Sequence, residues 1–203
     1  MSQTVKKYVE QIYTPTGITK ENIFSAEEKV LHIGSGANVL AGAETVDILD
    51  LPGVDTVHDL DRFPWPYKEN EFDVIFAHSV FEHLEDQLAV MEEMARILKS
   101  GGRVVITVPY FRCVDAYSDP THTTFFTTKT MDYYIKGTQV EAFGYTECKF
   151  KQIGLWFGWP TTPKRFLVRK FKNYIAKNHE FYDKYLSLLL PVDVLIWELE
   201  VLK

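Results

Sequence analysis

KVLHIGSGANVLAGAETVDILD, residues 29–50, decides the fold. Val30, Leu31 and Ile33 make a short apolar run that reads as a buried parallel strand. Gly34-Ser35-Gly36 follows at once, and two glycines just past a strand let the backbone approach a ligand with no Cβ in the way. A second run, Thr45 to Leu49, carries Asp47 inside it. A strand, a glycine turn and a second strand with an acid near its end make the arrangement by which a doubly wound sheet holds a nucleoside. The turn lies under the ligand, and the carboxylate accepts hydrogen bonds from ribose hydroxyls. Asp47 is the first candidate for that acid and Asp50 the second.

The rest of the chain repeats the strand theme with shortened links. Residues 37–44 are fewer than the dozen or so that a parallel crossover commonly takes, so the first crossover helix must be about one turn. Pro52-Gly53 predicts a loop before a third strand, Asp55 to His58. Phe72 to Ala77 reads as the fourth strand. Asp86 to Leu98 has helical periodicity, with Leu88, Met91, Met94, Ala95 and Leu98 near one stripe. Ser100-Gly101-Gly102 is expected to stop that helix, and Arg103 to Val108 to form the fifth strand. A polar and aromatic connection then runs through 109–131, with a helix expected over 128–137. Tyr145 to Phe157 and an alternating run ending near Val201 predict an antiparallel terminal hairpin.

Two further segments frame this core. Val5, Tyr8, Val9 and Ile12 have helical spacing and predict an N-terminal helical leader over 1–28. Residues 160–191 read as a helical insertion before the last strand, with Leu167, Phe171, Tyr174 and Ile175 on one face. Arg165, Arg169 and Lys172 stand on the other. A single domain over 1–203 follows. The basic stretch 164–184, with Trp156, Phe157 and Trp159 beside it, is read either as a solvated face or as a contact for an anionic acceptor or a membrane surface.

Composition narrows the class. The chain of 203 residues is 46% apolar and 25% charged, with formal net charge −6, a balance that argues against nucleic acid as partner. Cys113 and Cys148 form no metal-binding or CxxC pattern, which predicts a reduced, cytoplasmic protein. MSQTVKKYVEQ lacks the apolar core of a signal peptide. Val39 stands where a dinucleotide fingerprint needs its third glycine, and no Walker lysine follows the turn. Oligomeric state leaves no trace in the sequence.

Taken in order, HIGSG at 32–36, VDI at 46–48, HDLDRFPWPYKENEFDVI at 58–75, FEHL at 81–84 and RILKSGGRVVITVP at 96–109 resemble a class I S-adenosylmethionine-dependent methyltransferase, of the group called the methyltransferase type 11 domain. The later SDPTHTTFFT at 118–127 resembles a run in bacterial and archaeal members, several of them near glycan-synthesis functions. The resemblance implies an α/β, doubly wound, mostly parallel seven-stranded sheet with an antiparallel last strand. It implies S-adenosylmethionine as cofactor, held by His32, Gly34, Ser35, Gly36, Asp47, Asp59, Leu60 and His78. Asp59 would read the adenine amino group, Leu60 would offer its backbone amide, and His78 would lie beside the methionine end. His32 departs from the acid the family usually carries before its glycines.

Methyl displacement from a sulfonium requires positioning and, for a hydroxyl, a base; it requires no metal. His122 on the long loop is the candidate base or acceptor contact, with Asp119 beside it and His83 as a further candidate; loop-pinning is the plainer role for Asp119 and His122, and a helix start for Glu82 and His83. The expected activity is methyl transfer to a small-molecule or glycan-linked hydroxyl. The alternative is a degenerate scaffold or regulatory protein on the same fold.

Overall fold

A computed structural model describes residues 24–157 and 166–203. The expected helix over Val5 to Ile12, together with Trp159, Lys164 and Arg165, lies outside the described residues, as does the side chain of Arg169.

The strands β1 (Val30–Ile33), β2 (Glu44–Asp47), β3 (Thr56–Val57), β4 (Phe72–His78), β5 (Leu98–Pro109), β6 (Lys149–Phe157) and β7 (Val194–Leu202) form one seven-stranded sheet. Its order is β3-β2-β1-β4-β5-β7-β6. β1 to β5 pair in parallel, and β7 enters antiparallel between β5 and β6. The terminal hairpin expected from the alternating sequence is therefore present, with Phe157 opposite Leu195 and Lys149 opposite Leu202. Strand order reverses between β1 and β4, and the crevice at such a reversal is where open α/β sheets bind ligands.

Period two sorts each strand onto two apolar faces. Leu31, Ile33, Ile75, Ala77, Val104, Ile106 and Trp197 build one core, and Val30, Val74, Phe76, Val105, Trp156 and Ile196 the other. Helix α1 (Gln87–Ile97) covers the first face through Val90, Met91, Met94, Ala95 and Ile97. Leu88, placed on the buried stripe by periodicity, is instead 37% exposed. Asp86 caps the helix, its Oδ1 accepting from the Ala89 N–H at 3.0 Å.

The second face carries less helix, because the links from β1 to β2 and from β2 to β3 are turns. Phe24, Leu40 and Ala43 cover it. Helix α2 (Phe166–Lys177) falls in the segment expected to be helical, yet among its described side chains only Ile175 is fully buried, with Phe171 packed on the core. Leu167 and Tyr174, placed by their spacing on the same helical face as Phe171 and Ile175, are exposed. Trp156 and Phe157 are buried at the sheet end and offer nothing to a membrane. Among the described residues no helix is long and apolar enough to cross a membrane.

Several boundaries shift for local reasons. Helix α1 stops at Ile97 because Leu98 turns extended to pair with Phe72 of β4. Gly101-Gly102, expected to end the helix, instead lie in an irregularity of β5, where the register jumps from Leu98 to Arg103. A Cβ at Gly102 would meet the Lys99 carbonyl oxygen at 2.9 Å. The helix expected over 128–137 is a single 3₁₀ turn, Thr130–Tyr133. β6 begins at Lys149, because residues 145–148 are spent on a turn in which Thr146 Oγ1 accepts from the Cys148 N–H at 3.2 Å.

One charged group ties the long strands together. Glu198 of β7 is 1% exposed and accepts from Arg103 Nη1 of β5 at 2.6 Å, while Arg103 Nη2 donates to Glu28. Removing the guanidinium leaves a buried carboxylate without its countercharge. Arg103→Leu is therefore expected to destabilise the fold by about 3–5 kcal/mol in urea denaturation. A second change, Glu198→Gln, is expected to return part of that loss.

Candidate active site

The glycine turn is built by strain that only glycine accepts and by one carboxylate. Gly34 (φ +59°) and Gly36 (φ +51°) are both left-handed. A Cβ on Gly34 would stand 2.2 Å from Val80 Cγ2, so the turn presses against the segment following β4. A Cβ on Gly36 would meet nothing within 4 Å, so the space above it is open. Asp47, 8% exposed at the end of β2, holds the turn: its Oδ2 accepts from the Gly36 N–H at 2.7 Å and its Oδ1 from the Leu49 N–H at 2.9 Å. A carboxylate has about four lone-pair directions, so both oxygens keep capacity for ribose hydroxyls. Ser35 Oγ is buried and meets no hydrogen-bond partner among the described residues.

Asp59 and Leu60 lie past β3 on the same edge. Asp59 Oδ1 accepts from the Asp61 N–H at 3.0 Å and its Oδ2 lies 3.5 Å from Arg62 Nε, leaving the carboxylate partly exposed. Leu60 is buried, and its carbonyl accepts from Trp65 Nε1–H at 3.0 Å. Trp65 closes the core here, whereas Phe63 is 40% exposed. His78 ends β4 with its ring stacked on Phe76 at 6.2 Å, and burial pushes its pKa down.

His32 takes a different part from the one the resemblance implies. Its imidazole is 3% exposed, its ring centroid is 5.0 Å from that of Phe76, and Nδ1 accepts from the Leu40 N–H at 3.1 Å. The side chain braces the return leg of the glycine loop from inside the protein. Burial, with the nearby His78 adding, lowers its pKa to about 4, against a weaker opposing effect of Asp47.

A second cluster sits beside the turn. Ser79, at φ +50°, reverses the chain just past β4, and its N–H donates to the Thr107 carbonyl at 2.9 Å. Phe81–His83 follows as one 3₁₀ turn. The loop through 118–127 is sewn onto it: the Thr123 N–H donates to the Glu82 carbonyl at 2.8 Å, and Thr123 Oγ1 donates to the Leu84 carbonyl at 3.0 Å. His83 and His122 thereby come together, ring centroids 4.7 Å apart. A donor atom from each of Glu82, His83 and His122 lies within 4.8 Å of the others.

Hydrogen bonds orient both imidazoles. His122 Nδ1 is 3.0 Å from the Ala116 carbonyl, an acceptor only, so that nitrogen carries the proton. Thr121 Oγ1 donates to Asp119 Oδ1 at 2.6 Å, so the oxygen accepts from His83 Nδ1 at 2.9 Å. Each Nε2 is thereby left with its lone pair. Asp119 orients His83 through Thr121, and Thr121's two hydrogen bonds hold its carboxyl below the usual range. Burial, then the charge of His122, push the His83 pKa down.

Glu82 is the residue that sequence reasoning left out of the site. It is 1% exposed, and its Oε2 meets no partner among the described residues. Burial pushes its carboxyl up to about 7, Asp119 adding to the rise and its own backbone N–H and His122 opposing it. Ser79, Glu82, His83, Pro109, Asp115, Ser118, Asp119 and His122 line a cleft of about 330 Å³.

The fold and this geometry agree with known proteins. A family model described as "Methyltransferase domain" matches residues 31–106, from β1 through most of β5. Over that stretch, somewhat more than a third of the chain, the sequence is similar to this domain. The YcgJ protein of Bacillus subtilis covers 88% of this chain and 93% of its own at 17% identity, with TM-score 0.52. An S-adenosylmethionine-dependent methyltransferase of Archaeoglobus fulgidus covers 85% of this chain and 86% of its own at 16% identity, with TM-score 0.53. Both share the class I methyltransferase fold. In sequence, a demethylmenaquinone methyltransferase of Bacillus mycoides is 32% identical over 78 residues, covering 38% of this chain. A glycine/sarcosine/dimethylglycine N-methyltransferase of Actinopolyspora halophila is 46% identical over 44 residues, covering 22%. The matched stretches span 32% and 8% of those relatives' own lengths. S-adenosylmethionine is the cofactor of this domain family, and the open face of Gly36, the partnerless Ser35 hydroxyl and the Asp47 carboxylate suit its adenosyl and methionine parts.

Two outcomes follow from the geometry. Gly34→Ala is expected to cost far more stability in urea denaturation than Gly36→Ala, which carries only the left-handed strain of about 1 kcal/mol. Between pH 6.5 and about 4 the unfolded chain takes up a proton at His32 that the folded chain refuses, so stability falls as pH falls through that window. The loss amounts to roughly 3 kcal/mol. His32→Asn keeps an acceptor for Leu40 but does not titrate, and is expected to flatten that part of the thermal-stability profile.

Proposed function

We propose that the chain is an S-adenosylmethionine-dependent methyltransferase acting on a hydroxyl of a small molecule or glycan-linked acceptor. The observation that carries it is the open backbone at Gly36 clamped by Asp47, at the point where strand order reverses, within residues matched to the methyltransferase domain. The reading takes the chain as one methyltransferase domain, with the helical stretch before β7 as an insertion. Free Cys113 and Cys148 are in keeping with a cytoplasmic setting.

When bound, S-adenosylmethionine supplies an electrophilic methyl group. Gly34 and Gly36 give its methionine and ribose parts close access to backbone, Asp47 accepts from the ribose hydroxyls, and Asp59 with the Leu60 amide reads the adenine. His78 borders the methionine end. The acceptor enters the cleft of Glu82, His83 and His122, which adjoins the turn through Val80. There the Nε2 lone pair of His122 takes the hydroxyl proton, and Asp119 fixes the His83 ring through Thr121. A second cleft of about 610 Å³ on the other side of the same segment includes Asp86, Gln87, Thr127, Tyr133 and Tyr145. Tyr133 and Tyr145 stack at 5.5 Å, and Tyr145 is 60% exposed, a surface on which a sugar ring packs.

Calorimetry with S-adenosylhomocysteine is expected to show binding that Asp59→Ala weakens about tenfold and Gly36→Val abolishes. Absence of binding to the folded wild type would defeat the reading. Labelled-methyl transfer to a panel of hydroxyl-bearing molecules and glycans is expected to fall ~10²–10⁴-fold in His122→Asn with nucleoside affinity unchanged. The turn-only links beside the adenosine motivate the scaffold reading, which binding without turnover across that panel would favour.

A further inference from the structure

The sequence reading expects no metal, because methyl displacement from a sulfonium needs none; Glu82-His83 and His122 stand far apart in the chain. Folded, they bring a donor atom from each within 4.8 Å of the others, with Nδ1 of both imidazoles already committed. Each imidazole donates Nδ1–H to an oxygen, His122 to the Ala116 carbonyl and His83 to Thr121 Oγ1. That is the outer arrangement by which metal-ligating histidines are oriented, with Nε2 left to bind. The third donor group is the Glu82 carboxyl, whose Oε2 is buried with no partner among the described residues, which costs stability unless something completes it. The cleft it faces is lined also by Asp115 and Asp119 and by no lysine or arginine, so its charge favours a cation.

We propose that Glu82, His83 and His122 form a site for a divalent transition cation of the zinc class, with its remaining coordination positions open to the cleft. Two imidazoles and one carboxylate are a donor set that such ions accept, and three protein ligands with open positions is the pattern of catalytic rather than structural sites. Bonds of about 2.1 Å require donor atoms closer together than the 4.8 Å limit found here. Small side-chain rotations of the half-buried rings close that gap. The inference rests on the proposed acceptor cleft for its role and deepens it: the acceptor hydroxyl binds the open position, coordination acidifies it, its proton passes to water in the cleft, and its oxygen takes the methyl group as S-adenosylhomocysteine leaves. The His122 lone pair is then spent on the cation instead of taking the hydroxyl proton directly.

The untagged full chain, stripped with a chelator, is titrated with Zn²⁺ by calorimetry and with Co²⁺ by visible absorption. One equivalent per chain, a Co²⁺ band stronger than that of the hydrated ion, and at least tenfold weaker binding in Glu82→Gln and in His122→Asn are expected. Thr121→Val, which removes only the oxygen orienting His83, is expected to weaken binding by about tenfold. S-adenosylhomocysteine binding is measured on the same samples and is expected to be unaltered, so failure of the cofactor reading and failure of the metal reading appear separately. Zn²⁺ binding equal in wild type and in folded Glu82→Gln or His122→Asn would overturn the site. So would a Co²⁺ spectrum identical to that of the hydrated ion, returning His122 to its role as direct proton acceptor.

Discussion

Asp47 is the group on which the rest of the site depends. It sits at the last position of β2, and its two oxygens take the N–H groups of Gly36 and Leu49. One carboxylate therefore fixes the turn after β1 and the chain leaving β2. The links joining these strands are turns, so no helix N-terminus buttresses the loop. Its shape comes instead from that carboxylate, from the His32 ring beneath Leu40, and from Val80 packed where a Gly34 side chain would be. A ligand arriving there meets backbone that is already arranged, which lowers the ordering cost of binding.

The second half of the site is held by a different device. The segment after β4 and the loop after β5 are distant in sequence, yet Thr123 bonds backbone to backbone with Glu82 and side chain to backbone with Leu84. Those bonds set His122 against His83. Beside them Glu82 is buried with an oxygen that has no partner among the described residues, and Ser79 lies in a conformation unusual for a residue with a Cβ. Local costs of this kind persist where the surroundings over-determine them, and they concentrate at working sites. Here they adjoin the glycine turn through Val80, which packs against Gly34.

The sheet can support both devices because its centre is rigid. β4, β5 and β7 are buried on both faces, and Arg103 with Glu198 links β5 to β7. Helix α2 contributes little to that core, with Ile175 its one fully buried residue among those described. Its exposed Leu167, which lines a shallow cleft with Leu189 and Leu190, belongs to the surface of the chain's second half rather than to the site.

Local sequence determined the elements with strong periodicity: β1 with its glycine turn, Asp47 one strand later, the helix capped by Asp86, and the alternating hairpin that closes the sheet. Each has a period or motif that spacing records, although the hairpin pairs residues as far apart as Lys149 and Leu202. Where elements end was less legible, since Leu98 leaves its helix to satisfy a pairing with Phe72 that no local pattern announces. The fate of Leu88, Leu167 and Tyr174 depended on how much of each helix face the sheet covers. His32 looked like a site residue by position, and packing against Phe76 took it inside. The meeting of Glu82, His83 and His122 was decided by tertiary structure alone. Proximity there is made by hydrogen bonds between two loops, and a linear sequence carries no period for contacts of that kind.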